Sequence, residues 1–299
     1  MTEARRNLLL GLLAGLTAAL VWGAQAVIAR TGTLAGFNPV DLSVLRFVTA
    51  AVALSPFLWT GRHALRRIGV RRIFWLSVFG GFGNTLLFCS GVVYAPASHG
   101  GTIAPITAAV AGAVLAGPFL GDWPTRGRVL SLVALGLGLV LIGWDGLTGE
   151  HPGAWRGDLL LFGAGGVWGV FTVMLRRWAV PALPGMAAVF LCSALVMLPP
   201  WVMLGLGAVP DLPWQASALQ MVGQGLGASV IATTLYARAV ALLGATKAGC
   251  VGTMMPVVAL MLSAWLLGES LGRLKLAGVA VAVAAMLAAV LFTGRREAT

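Results

Sequence analysis

The sequence predicts an all-α polytopic membrane protein: ten transmembrane helices arranged as two inverted five-helix repeats around a central cavity. Three observations carry that expectation. The 299 residues are 59% hydrophobic and only 10% charged, against about 25% charged in soluble domains. Apolar runs of bilayer length follow one another with brief connections. The second half also repeats landmarks of the first. Trp22-Gly23 returns as Trp168-Gly169, and Gly121-Asp122 with Arg126 and Arg128 returns as Gly268-Glu269 with Arg273 and Lys275.

The spans follow in order. A hydrocarbon core about 30 Å thick takes about 20 helical residues to cross. The stretches that qualify are Leu8–Ala29, Val40–Trp59, Ile73–Tyr94, Gly101–Leu120, Val129–Trp144, Leu159–Leu175, Gly185–Leu204, Ala216–Ala237, Ala248–Leu267 and Leu274–Phe292. The fifth and sixth are short and should extend outward. All are apolar all round, without the two-residue alternation of a barrel strand, and a helix satisfies its own backbone polar groups in lipid. Arg5 and Arg6 precede a first run longer than the core of a signal peptide, about 7–15 residues, so it reads as a retained transmembrane helix.

Basic residues orient the chain, because Lys and Arg concentrate in cytoplasmic loops. With the N-terminus inside, Arg5, Arg6, Arg62, Arg66, Arg67, Arg71, Arg72, Arg126, Arg128, Arg176, Arg177, Arg238, Lys247, Arg295 and Arg296 fall inside. Only Arg30, Arg156, Arg273 and Lys275 fall outside. Both termini should therefore be cytoplasmic. Each half, 1–146 and 147–299, holds an odd number of spans, so the halves must sit upside down relative to each other. Such repeats place a substrate site near the midplane between them.

Charge and motifs narrow the function. The net charge of +11 would suit a nucleic-acid partner, but the basic residues lie in short patches between apolar runs. The partners expected are the lipid bilayer and a small-molecule substrate, with no nucleic acid. Cys89, Cys192 and Cys250 lie in apolar segments without disulfide or metal spacing and read as packing residues. No metal or cofactor is expected. His63, His99 and His151 are scattered, and no phosphate-cradling Gly-x-x-x-x-Gly-Lys-Ser/Thr loop is present. Neither an enzyme nor an ATPase subunit is indicated.

Further residues carry a family resemblance. The Trp-Gly pair opens both halves. Arg46-Phe47 lies in the second span. Tyr236-Ala237-Arg238-Ala239, Gly244-Ala245-Thr246-Lys247-Ala248, Pro256 and Leu267-Gly268-Glu269 have first-half partners in Tyr94-Ala95, Pro105 and Leu120-Gly121-Asp122. Over nearly its whole length the chain resembles the drug/metabolite transporter superfamily in its ten-helix EamA-like form. Within that superfamily it is similar to the bacterial exporter branch for aromatic and other neutral amino acids. The resemblance implies a carrier in the bacterial inner membrane. One departure is that Cys192 occupies the second-half position matching Arg46.

Candidate site residues are polar or aromatic groups inside spans. Charged groups at membrane depth cost about 2.5–3.5 kcal/mol on insertion scales, so their placement is informative. Glu3, Asp41, Asp122, Asp145, Glu150, Asp158, Asp211, Glu269 and Glu297 all map to span ends or loops, which disfavours a deep carboxylate relay. Asp122 and Glu269 precede basic residues and suit capping or an interfacial ion pair, with a gate as the alternative. Arg46 offers a bidentate fork to a substrate carboxylate, or to backbone carbonyls, or it reaches the interface. Lys247 reads as an inner-face anchor. Gln25, Asn84, Thr102, Gln224, Thr233, Thr234 and Thr253 can bind an amino acid's charged groups or join helices. His99 is a proton carrier or a hydrogen-bonded helix start. Trp22 and Trp168 lie away from the interfacial belt and can face an aromatic substrate or pack the halves together. Tyr94 and Tyr236 end spans as site residues or interfacial anchors. Gly11 and Gly15, Gly165 and Gly169, and Gly223 and Gly227 are spaced for close helix approach. Pro105 and Pro256 interrupt helix bonding as gating kinks or static bends.

The function expected is export of small metabolites, with aromatic and other neutral amino acids foremost, by alternating access. A multidrug or organic-cation exporter and a non-transporting membrane scaffold are the alternatives.

Overall fold

A computed structural model gives the fold of residues 3–148 and 153–297. Glu150 and His151 lie outside the described residues, as do the side chains of Asp145, Thr246, Cys250 and 289–297. The described residues form helices and no strand. Seven segments are long and apolar enough to cross a membrane. They are α1 (Glu3–Ala35), α2 (Pro39–Thr60), α4 with α5 (Val70–Gly80 and Phe82–Tyr94), α6 (Ala97–Leu120), α8 (Ala154–Arg177), α9 (Ala182–Met203) and the rod Trp214–Leu243. Large apolar side chains such as Leu13, Val52, Leu130 and Met261 stand exposed on the surface, as lipid solvation requires.

The expected count of ten is therefore not reproduced by length and hydropathy. The fifth and tenth expected spans fall on α7 (Arg126–Thr148) and α14 (Arg273–Glu297), and the ninth is not one helix. It breaks at Thr253-Met254 into α12 (Ala245–Gly252) and α13 (Met255–Leu267). Pro256 sits in the first turn of α13 rather than bending a continuous helix. A proline is tolerated there because that N–H has no intrahelical partner. Pro105 does lie within α6. The fifth and sixth stretches lengthen as expected.

Local chemistry sets the boundaries. Asn38 caps α2, accepting from the Val40 and Asp41 N–H groups, while the Asp41 carboxylate accepts from the Asn38 N–H at 3.0 Å. This reciprocal pairing satisfies donors that every helix start leaves open. Asp41 also accepts from Trp201 Nε1 at 2.8 Å, tying α2 to α9. The short basic helix α3 (Arg62–Ile68) turns into α4 at Gly69, with φ of +82°. Between α4 and α5 the chain bends at Gly81, where Ser193 Oγ accepts from the Phe82 N–H at 3.2 Å. The rod Trp214–Leu243 joins α10 (Trp214–Gln220) to α11 (Ala232–Leu243) through eleven π-wound residues, Met221–Ile231.

Helix pairing has a regular pattern. α2 packs on α9 and α7 on α14, while α1 lies against α11 and α13 much as α8 lies against α5 and α6. One core gathers Phe47, Leu54, Leu76, Phe171 and Phe190, with the Phe47 and Phe190 rings 5.9 Å apart. A second gathers Ile106, Leu135, Ile142, Leu161 and Val279.

Small residues permit the closest approach. A methyl at Gly169 on α8 would meet the backbone nitrogen of Gly112 on α6 at 2.8 Å, and one at Gly165 would overlap the Ala104 carbonyl. These contacts give the glycine spacing read from the sequence its packing role on α8. Gly169→Val is expected to cost about 3 kcal/mol, because backbone cannot give way as a side chain can. Gly136→Ala, with nothing within 4 Å of the added carbon, should be neutral or stabilising. Thermal midpoints in detergent would check both, and equal midpoints would refute the packing role.

Candidate functional site

The principal polar locus lies where α1 and α2 of the first half meet the π-wound segment of the second. Winding to i→i+5 hydrogen bonds is rare and concentrates at functional places. Here it is accompanied by side-chain bonding. Ser229 Oγ donates to the Gln224 carbonyl at 2.9 Å, and Trp22 Nε1 donates to the Ala228 carbonyl at 2.9 Å. Across from it, Arg46 of α2 is only 6% exposed and its Nε donates to Ser229 Oγ at 2.9 Å. Among the described residues no carboxylate pairs with this guanidinium.

Acceptors remain open beside it. Gln220 Nε2 donates to the Ile28 carbonyl at 3.0 Å, and Gln224 Nε2 donates to Gln220 Oε1 at 2.7 Å. That relay fixes both amides and leaves buried Gln224 Oε1 without a partner. Thr49, one turn along α2 from Arg46, packs on Gly225, and its buried Oγ1 also lacks a partner. The aromatic element adjoins through Trp22, whose ring centroid lies 5.3 Å from that of Tyr236.

A second locus joins α5 to α8. Asn84 Nδ2 donates to the Ala164 carbonyl at 2.8 Å, and one turn on, the Trp168 ring packs tilted against Phe171 with centroids 5.0 Å apart. Trp168 thereby packs against the first core, whereas Trp22 bonds the π segment. A third locus closes one end of the bundle. Buried His99 Nδ1 lies 2.7 Å from Asp158 Oδ1 of α8, and Thr102 Oγ1 donates to the Ser98 carbonyl at 2.7 Å. Glu269 accepts from the Ala97 and Ser98 N–H groups at 2.5 and 3.0 Å. Its repeat counterpart Asp122 instead meets Arg176 at 3.4 Å and Arg128 at 3.7 Å.

The candidate residues therefore divide. Trp22, Arg46, Gln224 and Tyr236 come together. Asn84 and Trp168 share α5 and α8, and His99 and Thr102 share the α6 start. Gln25 is half-buried one turn beyond Trp22 on α1, and Thr253 is buried at the α12–α13 break. Tyr94 ends α5 with 52% of its surface exposed. Sequence reading missed Thr49, Ser229, Asp158 and the reach of Glu269. An aspartate immediately before an expected span was the available signal for Asp158. Nothing local marked the others. Among the described residues, no three His, Cys, Asp or Glu side chains gather as a metal site.

Comparison with known proteins bears on the whole chain. The family model described as "EamA-like transporter family" matches residues 9–144 and again 155–291. A solved chain described only as "Crystal structure of protein" is similar in fold, with a TM-score of 0.62 and 22% identity, covering 95% of this chain and 97% of that one. No curated protein matches. Two consecutive matches spanning nearly every residue show that the chain belongs to the EamA-like transporter family, whose members are membrane transporters of small molecules.

Proposed function

We propose that this transporter exports small metabolites across a bacterial inner membrane, with aromatic and other neutral amino acids as cargo. It works by alternating access of two inverted five-helix halves, 1–146 and 147–299, with both termini cytoplasmic. The helix pairing supports the two-half reading: exchanging first-half helices for their second-half counterparts turns α1 on α11 and α13 into α8 on α5 and α6, and leaves α2 on α9 and α7 on α14 unchanged. The family match, ending and restarting between residues 144 and 155, supports it too.

The observation that carries the cargo is the locus between the halves. A buried guanidinium without a carboxylate suits a substrate carboxylate, which it can hold through paired N–H donors. Two nearby acceptors without donors, Gln224 Oε1 and Thr49 Oγ1, suit an ammonium. Buried polar groups left open carry a desolvation penalty of about 1–3 kcal/mol each, which a ligand bearing both charges would relieve. Trp22 and Tyr236 supply the faces for an aromatic side chain. An organic cation would find no carboxylate among the described residues of this locus.

Flux into proteoliposomes tests the reading. Phenylalanine and leucine should show saturable flux that competes, and tetraphenylphosphonium should not inhibit it. Non-saturable amino-acid flux would refute the assignment.

A further inference from the structure

The chain between Asp41 and Asp122 contains no acidic residue, yet it carries Arg62, Arg66, Arg67, Arg71 and Arg72 in one short stretch. All five are exposed. Among the described residues none of them forms an ion pair. Two of the five, from different helices, converge on a recess of about 320 Å³ whose wall includes Ala64, Arg67, Ile68, Arg72, Trp178 and Pro181. That volume sits at the small end of ligand pockets, about 300–1,000 Å³.

The recess is shaped by both halves of the chain. Ile68 is buried and anchors α3, so that Arg67 stays at the rim. Gly69, with its positive φ, ends α3 and leads into α4, which carries Arg72 in its first turn. The Arg72 guanidinium lies 5.5 Å from the Trp178 ring centroid, a stacking contact that orients its donors. On the far wall the turn after α8 runs through Ala179 with φ of +47°. A non-glycine residue held there costs about 1–3 kcal/mol, and the turn brings Trp178 and Pro181 to face α3.

We infer that this recess binds the phosphate of an anionic phospholipid headgroup. Guanidinium forks match phosphate oxygens bidentately. A tryptophan beside them marks the depth where headgroups lie, and Ile68, Trp178 and Pro181 offer apolar cover to the glycerol and first methylenes. A soluble phosphate would use the same two arginines without that cover. Basic clefts at the cytoplasmic face gain further from the negative surface potential of that leaflet. The inference rests on the membrane reading of the chain and is independent of the amino-acid cargo.

Native mass spectrometry of protein released from mixed phosphatidylglycerol and phosphatidylcholine nanodiscs tests it. The unaltered chain should retain phosphatidylglycerol at least tenfold over phosphatidylcholine, and Arg67→Ala with Arg72→Ala should lose that preference. Arg71→Ala, basic but outside the recess, should keep it. Equal loss in Arg71→Ala would mean diffuse attraction and would overturn the site, as would full retention in the double variant. Inorganic phosphate should leave the thermal midpoint in detergent unchanged. A phosphate-induced rise that disappears in the double variant would overturn the lipid assignment in favour of a soluble anion. Every readout can fail while amino-acid flux persists, and the reverse.

Discussion

Arg46→Met should abolish amino-acid transport, by tenfold or more, without lowering the thermal midpoint of the protein. The two halves of that expectation come from one fact. A buried guanidinium loses hydration worth several kcal/mol, and here the hydrogen bond from its Nε to Ser229 offsets part of it. Replacing such a group with an apolar side chain of similar length is often neutral or stabilising. Ser229 keeps its own bond to the Gln224 carbonyl, so the π-wound segment retains its internal tie. What disappears is the positive charge of the locus that also holds the open Gln224 and Thr49 oxygens. Phenylalanine should accordingly stop raising the midpoint, since stabilisation by mass action needs binding. A variant that loses transport together with several degrees of midpoint would point to a structural arginine and refute the cargo assignment. Saturable flux at the original rate would do the same.

Glu269→Gln should destabilise the bundle by about 2 kcal/mol and loosen the α6 start. Pro96 is the residue before α6 and makes no side-chain cap bond. The Ala97 and Ser98 amides therefore rely on a carboxylate supplied by the second half, where negative charge also complements the helix dipole. A glutamine keeps one acceptor oxygen but turns an NH₂ donor toward a second N–H donor. One amide is left open and the charge is gone. Amide hydrogen exchange over Ala97–Thr102 should accelerate, because local opening draws on that interaction. Asp122→Asn removes exposed contacts to Arg176 and Arg128 and should change stability by less than about 1 kcal/mol. Unchanged protection in Glu269→Gln, or a larger loss in Asp122→Asn, would show that the cap does not hold the two halves together.

Much of the architecture was legible because membrane depth imposes a crude rule on sequence. Apolar length alone located α1, α2, α6, α8 and α9. The recurrence of Trp-Gly and Gly-Asp/Glu announced the duplication that the family match also covers. The ninth expected span was misread as one helix because hydropathy does not register a change of backbone winding. Thr253 and Met254 fit an apolar run as well as any helical residue would, and only the chain path reveals the break. The candidate site was legible where a residue type is costly in lipid, as for Arg46 and Gln224. It was illegible where the meaning of a residue depends on a distant partner. Ser229 and Thr49 are ordinary small polar residues until Arg46 and Gln224 stand beside them. Glu269 looked like a local cap because its two partners lie in the other half of the sequence.

The winding of Met221–Ile231 has a mechanical side. A helix whose carbonyls reach five residues ahead holds one residue of slack for every turn so wound. Reverting any of those turns to ordinary pitch would rotate the downstream rod about its own axis, carrying Tyr236 past Trp22 while Gln220, upstream, kept its grip on Ile28. Such a corkscrew would change which side chains meet at the locus without parting the helices that enclose it.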